Sequence, residues 1–184
     1  ALNHKENFIF EFRKNVTNYL DLKRIWNILC ECDKDYIPPL SWYRNDIDDF
    51  TEEQKQYLVP NVFYKHIIKH PFIVVREKGK IVGFLSFESN KVIGSLKELG
   101  RVNYVNAVCI DKRYLRNGLR KDMYKYLDER VPEEYKVCGI VTKATQSDLN
   151  ENVMLNELNY VKKAILRNEE EEMNTIYYYK GISK

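Results

Sequence analysis

One segment, between Val105 and Leu127, restricts the fold of this chain more than any other, because it contains a strand, a basic turn and a helix in direct succession. Its first residues form a short apolar run rich in β-branched side chains, which predicts a strand that ends near Ile110. Apolar side chains then recur every fourth residue, a spacing typical of a helix with one buried face. These side chains are Leu115, Leu119, Met123 and Leu127. The segment therefore predicts a strand that leads into an amphipathic helix through a turn around Gly118.

The turn is basic, with Lys112, Arg113 and Arg116 at the point where the helix is expected to begin. The first N–H groups of a helix have no internal partner and carry a partial positive charge, so such a helix start binds phosphate. A diphosphate is therefore the ligand that this unit predicts. The turn is not a P-loop, because no Lys-Ser or Lys-Thr pair follows Gly118, and it lacks the three glycines of a dinucleotide fingerprint.

Length and composition favour a single domain over residues 1–184, with enough apolar side chains (44%) to form a full core. The net charge of +3 is too small to indicate nucleic acid as the main partner. No apolar run is long enough to span a membrane, and the N-terminus lacks the apolar core of a signal peptide. We therefore expect a cytoplasmic protein with neither a membrane nor a nucleic acid as partner.

The cysteines and histidines do not predict a metal centre. The four cysteines are expected to be reduced packing thiols, as in a cytosolic protein. Cys30 and Cys32 are close in sequence, but no second cysteine pair and no paired histidines accompany them. The histidines are interpreted as separate surface or packing residues. The residues concerned are Cys30, Cys32, Cys109, Cys138, His4, His66 and His70.

Hydrophobic periodicity predicts a mixed α/β chain. Thr17 and Thr51 are the expected N-caps of the first two helices, and Lys78-Gly79 predicts a hairpin turn. The predicted strands are residues 8–13, 72–76, 80–87, 101–110, 136–142, 161–167 and 175–181. The predicted helices are residues 20–30, 51 to 66 or 68, 114–130 and 149–158.

This order of elements resembles the GNAT superfamily of N-acetyltransferases over nearly the whole chain. The fourth strand of that family ends in a pattern like V-x-P-x-Y-R-G-K-G-x-G, in which Ile110, Tyr114 and Gly118 match the valine, the tyrosine and the first glycine of the final G-x-G. The chain departs from the pattern where Lys112 replaces the proline, Leu115 replaces the usual arginine or glutamine, and Arg120 replaces the final glycine or alanine. The resemblance implies an α/β (α+β) fold with a central mixed, mostly antiparallel sheet of six to seven strands. That sheet is splayed between its fourth and fifth strands and flanked by about four helices.

A second motif lies near the C-terminus, where the sequence E-L-N-Y at residues 157–160 takes the place of K-L-G-F in the family. Asn159 stands for the glycine of that motif. Because asparagine tolerates the left-handed conformation that ends a helix, we expect Asn159 to adopt a positive φ.

The resemblance also implies acetyl-CoA as cosubstrate and transfer of its acetyl group to a primary amine by direct attack in a ternary complex. The pantetheine arm of the cofactor is then expected on the backbone of Val108, Cys109 and Ile110. The pyrophosphate is expected on N–H groups of the following loop, with Arg113 beside them. The loop residues are Leu115, Arg116, Asn117, Gly118, Leu119 and Arg120.

The catalytic positions of the family are altered in this chain. Asn106 takes the place of the fourth-strand glutamate that serves as base, and an amide accepts no proton at neutral pH, although it can orient a water molecule. Leu155 takes the place of the common tyrosine acid. Candidate replacements are Tyr104, Glu88 and Asn152. These substitutions leave open the alternative of a GNAT-fold protein that binds CoA or acyl-CoA without catalysis.

The acceptor is not specified by the sequence. The connection between the first two predicted helices is rich in aspartate and aromatic side chains, which suits a cationic amine but is also ordinary for a polar surface loop. A small amine, an aminoglycoside-like compound and a peptide amine all remain open as acceptors. A monomer and a homodimer are both compatible with the sequence, and a basic nucleic-acid-binding surface is the least favoured alternative.

Overall fold

The computed structural model describes residues 7–131, 135–145, 153–168 and 173–182. The strands are β1 (Phe8–Arg13), β2 (Phe72–Glu77), β3 (Lys80–Lys91), β4 (Val102–Ile110), β5 (Gly139–Thr145), β6 (Val161–Asn168) and β7 (Met173–Gly181). They form one sheet in the order β1-β2-β3-β4-β5-β7-β6. Neighbouring strands are antiparallel except β4 and β5, which are parallel. The predicted mixed, mostly antiparallel sheet is therefore confirmed.

The hairpin between β2 and β3 follows the predicted turn. Lys78 and Gly79 have φ values of 51° and 79°, as a two-residue hairpin loop of the primed type requires. The registers Arg76↔Ile81 and Glu77↔Lys80 close the strands directly around this pair. Asn159 also has a positive φ, of 62°, which confirms the conformation predicted for it.

The described residues contain four α-helices: α1 (Tyr19–Cys32), α2 (Glu52–Lys55), α3 (Asn61–Ile67) and α4 (Leu119–Glu129). The predicted cap of α1 is wrong, because Asn18 rather than Thr17 is extended and accepts a hydrogen bond from the N–H of Asp21 at 3.1 Å.

The second predicted helix is two helices. Thr51 caps α2 as expected, in a capping box in which its hydroxyl and the Gln54 side chain each accept the other residue's N–H. The expectation of one helix from residue 51 to 66 or 68 is wrong. Pro60, which has no N–H and cannot lie inside a helix, separates α2 from α3.

The helix after β4 begins later than residue 114. Lys112–Tyr114 is one 3₁₀ turn, and α4 begins at Leu119, after Gly118 with φ 70°. A left-handed residue ends one helical segment before the next begins, so the prediction of one continuous helix here is wrong. Val153–Glu157 forms a π-helical turn, and the other part of the predicted helix at residues 149–152 lies outside the described residues.

The core lies on both faces of the sheet. On one face α4 buries Leu119, Met123 and Leu127, each at most 1% exposed. Burying each such side chain contributes about 1.5–3 kcal/mol before cavity effects. On the other face α1 and α3 bury Ile25 and Ile67 against β2, β3 and β4. Both faces of β4 are therefore covered, which leaves its edge as the accessible part.

The cysteines of this fold are all free thiols, and Cys32 and Cys109 are buried. Burial raises the pKa of Cys109 well above that of an ordinary thiol, so it is a packing residue rather than a nucleophile. Among the described residues, no helix has both the length and the apolar character needed to cross a membrane.

Candidate active site

A cleft opens where β4 and β5 part. The two strands pair only at their beginnings, where Val102, Asn103 and Tyr104 lie opposite residues 139–141. Beyond Tyr104 the strands diverge, as the resemblance implied. On its other side β4 carries a bulge, because its pairing with β3 shifts between Ala107 and Val105 and leaves Asn106 as the extra residue.

The cleft is narrow, with a cavity volume of about 50 Å³. Residues from six parts of the chain line it: the connection after α1, β4, the first two turns of α4, β5, the turn at Val153–Glu157, and β7. Its polar and basic lining includes Tyr36, Asn106, Arg120, Tyr124, Thr142 and Lys143. The edge of a strand without a neighbour offers backbone N–H and C=O groups to a ligand, so the cleft can bind an extended chain.

Tyr36 occupies this strand edge. Its hydroxyl accepts a hydrogen bond from the Val108 N–H at 2.9 Å and donates one to the Val108 carbonyl at 2.7 Å. Burial raises the pKa of Tyr36 well above its usual value, so the hydroxyl keeps its proton. Beside it the Cys32 thiol lies 3.6 Å from the Ile110 carbonyl. Three residues of β4 were predicted to bind the cofactor through their backbone. In this structure the backbone of Val108 is bonded to the Tyr36 side chain and that of Ile110 to the Cys32 side chain. The side chain of the third residue, Cys109, lies in the core.

The loop after β4 is held by Asp111, which is 2% exposed. Its carboxylate accepts hydrogen bonds from the Arg113 N–H and guanidinium and from Arg24 of α1. The side-chain bonds from Arg113, more than any other contact, hold the pKa of Asp111 well below its usual value. Arg113 therefore already has an anionic partner. Sequence reasoning singled out Arg113 for the cofactor but did not identify Asp111, whose role depends on the distant Arg24.

The other predicted loop residues lie between this turn and α4. Leu115, Arg116 and Gly118 are exposed, and Asn117 is half-buried. Leu119 is buried against the sheet and serves packing, whereas Arg120 lines the cleft. The N–H groups of this segment and the first turn of α4 lie at a helix start of the kind that binds phosphate.

The predicted catalytic residues occupy different environments. Asn106 lines the cleft, and its Nδ2 is buried without a hydrogen-bond partner among the described residues. Tyr104 is buried, and burial raises its pKa further from the range of a useful acid or base. Leu155, in the place of the family's tyrosine acid, is half-buried. Asn152 lies outside the described residues.

Glu88 belongs to a different cluster. Its carboxylate forms an ion pair with Lys91 at 3.1 Å and faces the Nε2 atoms of His66 and His70 at 3.5 and 3.6 Å. Burial works to raise the pKa of Glu88, but the bond from Lys91 and the neighbouring positive charges outweigh it and lower that pKa. Burial lowers the pKa of His70. These two histidines, interpreted from the sequence as surface or packing residues, lie together because the chain turn at the end of α3 brings both against β3.

Lys143 is a cleft residue that sequence reasoning missed. It lies on β5, and desolvation in the cleft together with the charge of Lys91 lowers its pKa below that of an ordinary lysine. Lys143 is partly open to solvent, and its lowered pKa makes it easier to deprotonate than an ordinary lysine, whereas the Asn106 amide accepts no proton. No spacing in the sequence signals this role, because it depends on the parting of two strands.

The connection between α1 and α2 is less open to a ligand than its composition suggests. Asp33 is buried, and its carboxylate accepts the N–H of Ser41 at 2.6 Å. The Trp42 ring faces the ammonium of Lys55 at 5.4 Å. Both residues thus have partners within the chain, and the interpretation of this loop as an acceptor site rests on its exposed aspartates at positions 46, 48 and 49.

Comparison with known proteins agrees with this geometry. The acetyltransferase (GNAT) family profile matches residues 26–154. No curated protein sequence matches the chain. A GNAT acetyltransferase structure from Bacillus cereus is similar with a TM-score of 0.59 at 16% identity, covering 96% of this chain and 99% of that one. An N-acetyltransferase from Staphylococcus aureus gives a TM-score of 0.62 at 14% identity, covering 95% and 99%. The ribosomal-protein-S18-alanine N-acetyltransferase of Escherichia coli gives a TM-score of 0.58 at 13% identity, and the match covers 96% of each chain. Identities this low relate the structures by fold.

Proposed function

Because the chain belongs to the acetyltransferase (GNAT) family, we propose that it transfers an acetyl group from acetyl-CoA to a primary amine in a ternary complex. The observation that carries the proposal is the parting of β4 and β5 after Tyr104. It provides a cleft with an unpaired strand edge on one wall and a basic helix start at one end.

The cofactor in this proposal is bound mainly by backbone groups. The pantetheine arm lies along β4 and takes over the Val108 N–H and carbonyl that Tyr36 occupies in the free protein. The diphosphate lies on the N–H groups between Leu115 and Arg120, at the start of the eleven-residue helix α4. Each nearby exposed cation adds only about 0.3–1 kcal/mol at a helix start. We therefore expect no single arginine to be essential.

The proposed reaction forms a C–N bond and breaks the thioester C–S bond. The nitrogen of the neutral amine attacks the thioester carbonyl, whose oxygen accepts a hydrogen bond from the otherwise unpaired Nδ2 of Asn106. Lys143 in its neutral form takes the proton that the acceptor loses. The resulting Lys143 ammonium then protonates the CoA thiolate as it leaves, which restores the enzyme. Holding the two reactants together supplies much of the remaining acceleration.

The acceptor class remains a primary amine, either of a small molecule or of a peptide. The four free thiols fit the expected cytoplasmic, reducing location. We propose residues 1–184 as one catalytic domain, with no metal needed for the acetyl transfer itself.

The proposal is tested by measuring CoA release from acetyl-CoA with polyamines, aminoglycosides and peptides that carry N-terminal or lysine amines. We expect turnover with at least one of them. With that acceptor, Lys143→Gln is expected to lower kcat at pH 7 by about 100-fold and to leave acetyl-CoA affinity unchanged, because it removes only the base. Lys23→Gln, on the exposed face of α1, is the matched control and is expected to retain full activity.

The pH dependence distinguishes a base from a structural lysine. The wild-type kcat is expected to rise with pH through the lowered pKa of Lys143, because only its neutral form accepts a proton. The rise is expected to be absent in Lys143→Gln. Binding of acetyl-CoA without CoA release for any amine would contradict the proposal and favour the alternative, a CoA-binding protein without catalysis.

A further inference from the structure

Two histidines and a glutamate converge at the end of the sheet, outside the cleft. His66 lies in the last turn of α3, His70 lies four residues after His66 and beyond the end of that helix, and Glu88 lies near the end of β3. One ligand atom from each lies within 4.8 Å of the others. The three side chains are 14–30% exposed, so they are shielded but reachable from solvent.

The distances within this cluster differ from those of hydrogen bonds. The Glu88 oxygens lie 3.5 Å from His66 Nε2 and 3.6 Å from His70 Nε2, beyond the usual range of about 2.7–3.2 Å for N–H···O bonds. Two ligands bound about 2.0–2.1 Å from a tetrahedral metal ion are roughly 3.4 Å apart. Each nitrogen–oxygen separation is therefore close to that of two ligands of one ion, with Oε2 of Glu88 facing His66 and Oε1 facing His70.

The chemical types of the three side chains also suit a metal ion. Imidazole nitrogens combined with one carboxylate suit Zn²⁺ and neighbouring transition metals, whereas Mg²⁺ and Ca²⁺ prefer oxygen ligands alone. The spacing of four residues between His66 and His70 brings both rings to one side of the chain, with centroids 5.0 Å apart. The His66 ring also lies 5.4 Å from the Tyr43 ring, which restricts its orientation.

Lys91 competes with a metal ion for the carboxylate of Glu88. Its ammonium lies 3.1 Å from the same Glu88 oxygen that faces His66, and it also lies over the Tyr104 ring at 4.7 Å. A metal ion and an ammonium cannot both take this oxygen at short range without repulsion, so metal binding has to displace Lys91 towards its aromatic partner. The lysine therefore weakens the site without removing any ligand.

We propose that His66, His70 and Glu88 bind one divalent transition-metal ion of the Zn²⁺ class. Three protein ligands leave the fourth tetrahedral position for water or another small ligand. The ion fixes the end of α3 to β3, beside Tyr104 where β4 and β5 begin to part. This site does not depend on the acetyl transfer proposed above and differs from the sequence-based expectation of a protein without metal.

The test is calorimetric titration of Zn²⁺ into the full chain, free of any polyhistidine tag and treated with chelator, with Co²⁺ absorption as a second readout. We expect one ion per chain and the visible spectrum of tetrahedral Co²⁺. His70→Gln and Glu88→Gln are each expected to weaken binding by about tenfold or more, because each removes one ligand. His4→Gln, which changes the third histidine, is expected to leave the affinity unchanged.

A further variant separates the metal site from a simple ion-pair cluster. Lys91→Met is expected to bind Zn²⁺ more tightly than wild type, because the competing ammonium is gone. Circular dichroism of each variant without metal establishes that it is folded. Absence of binding to the wild-type chain would overturn the proposal. So would binding that survives both ligand variants, or Co²⁺ spectra with thiolate bands that disappear in a Cys30→Ser, Cys32→Ser variant.

Discussion

At the scale of single residues, Tyr36 occupies the edge of β4 inside the cleft. One hydroxyl satisfies both the N–H and the carbonyl of Val108, at 2.9 and 2.7 Å. Buried backbone groups without partners cost about 1–3 kcal/mol each. The free protein is therefore stabilised by a contact that the pantetheine arm has to replace in the binding mode proposed above.

Tyr36→Phe is predicted to lower the free energy of unfolding by about 2 kcal/mol or more, because two backbone groups of Val108 lose their hydrogen-bond partner. The same change is predicted to tighten acetyl-CoA binding about fivefold, since the cofactor no longer displaces a hydroxyl. Urea unfolding and calorimetric titration measure the two effects. Tyr64→Phe is the matched control, because its hydroxyl bonds to Leu22 at 3.4 Å away from the cleft. Unchanged or weaker cofactor binding in Tyr36→Phe would contradict this account.

Residue-scale features were predictable where they depend on local backbone chemistry. Asn159 stands for a family glycine and has the expected positive φ, and Lys78-Gly79 forms the expected turn. The position of Tyr36 was not predictable, because its partner Val108 is 72 residues away in sequence. The cluster of His66, His70 and Glu88 was missed for a related reason, since it depends on how α3 packs against β3.

At the scale of elements, Asp111 joins α1 to the loop that follows β4. Its carboxylate accepts bonds from Arg24 of α1 and from Arg113 of the loop, and its pKa lies well below its usual value. A carboxyl group with a depressed folded-state pKa contributes stability above its unfolded pKa of about 3.9. That contribution is lost as the pH falls through the folded-state pKa.

Asp111→Asn is predicted to lower the free energy of unfolding by about 2 kcal/mol at pH 7. This is less than the 3–5 kcal/mol of a fully buried pair, because Arg24 and Arg113 partly reach solvent. The difference from wild type is predicted to shrink as the pH falls below about 4. Urea unfolding across this pH range measures it, with the exposed Asp48→Asn as control. A difference that persists unchanged at low pH would show that packing, not charge, causes the loss.

Element boundaries were predictable for the strands and less so for the helices. Alternating and β-branched runs identify β1, β2 and β4 almost to the residue, because their periodicity continues to their ends. The helix predictions extended through Pro60 and Gly118, since apolar spacing continues across both positions although the backbone does not. Proline and glycine residues therefore need more weight than the spacing of apolar residues when the limits of a helix are predicted.

At the scale of the whole molecule, the cleft follows from one parallel contact in an otherwise antiparallel sheet. The sheet pairs over seven residue pairs on either side of this contact, through β3 with β4 and β5 with β7, but only three residue pairs join β4 to β5. The order of elements predicted this arrangement through the resemblance to the GNAT family. The volume and lining of the cleft could not be predicted, because they depend on where the two strands separate.

The binding of acetyl-CoA in this cleft is tested most directly by calorimetric titration of wild type, Ala144→Trp and Val161→Trp. Ala144 lines the cleft on β5, whereas Val161 is 50% exposed on β6 and does not line it. We predict one bound acetyl-CoA per wild-type chain, a loss of about tenfold or more in affinity for Ala144→Trp, whose indole fills the space, and no change for Val161→Trp. Circular dichroism of the free variants establishes that each is folded. No binding to wild type, or equal affinity in Ala144→Trp, would contradict the assignment of the cleft as the cofactor site.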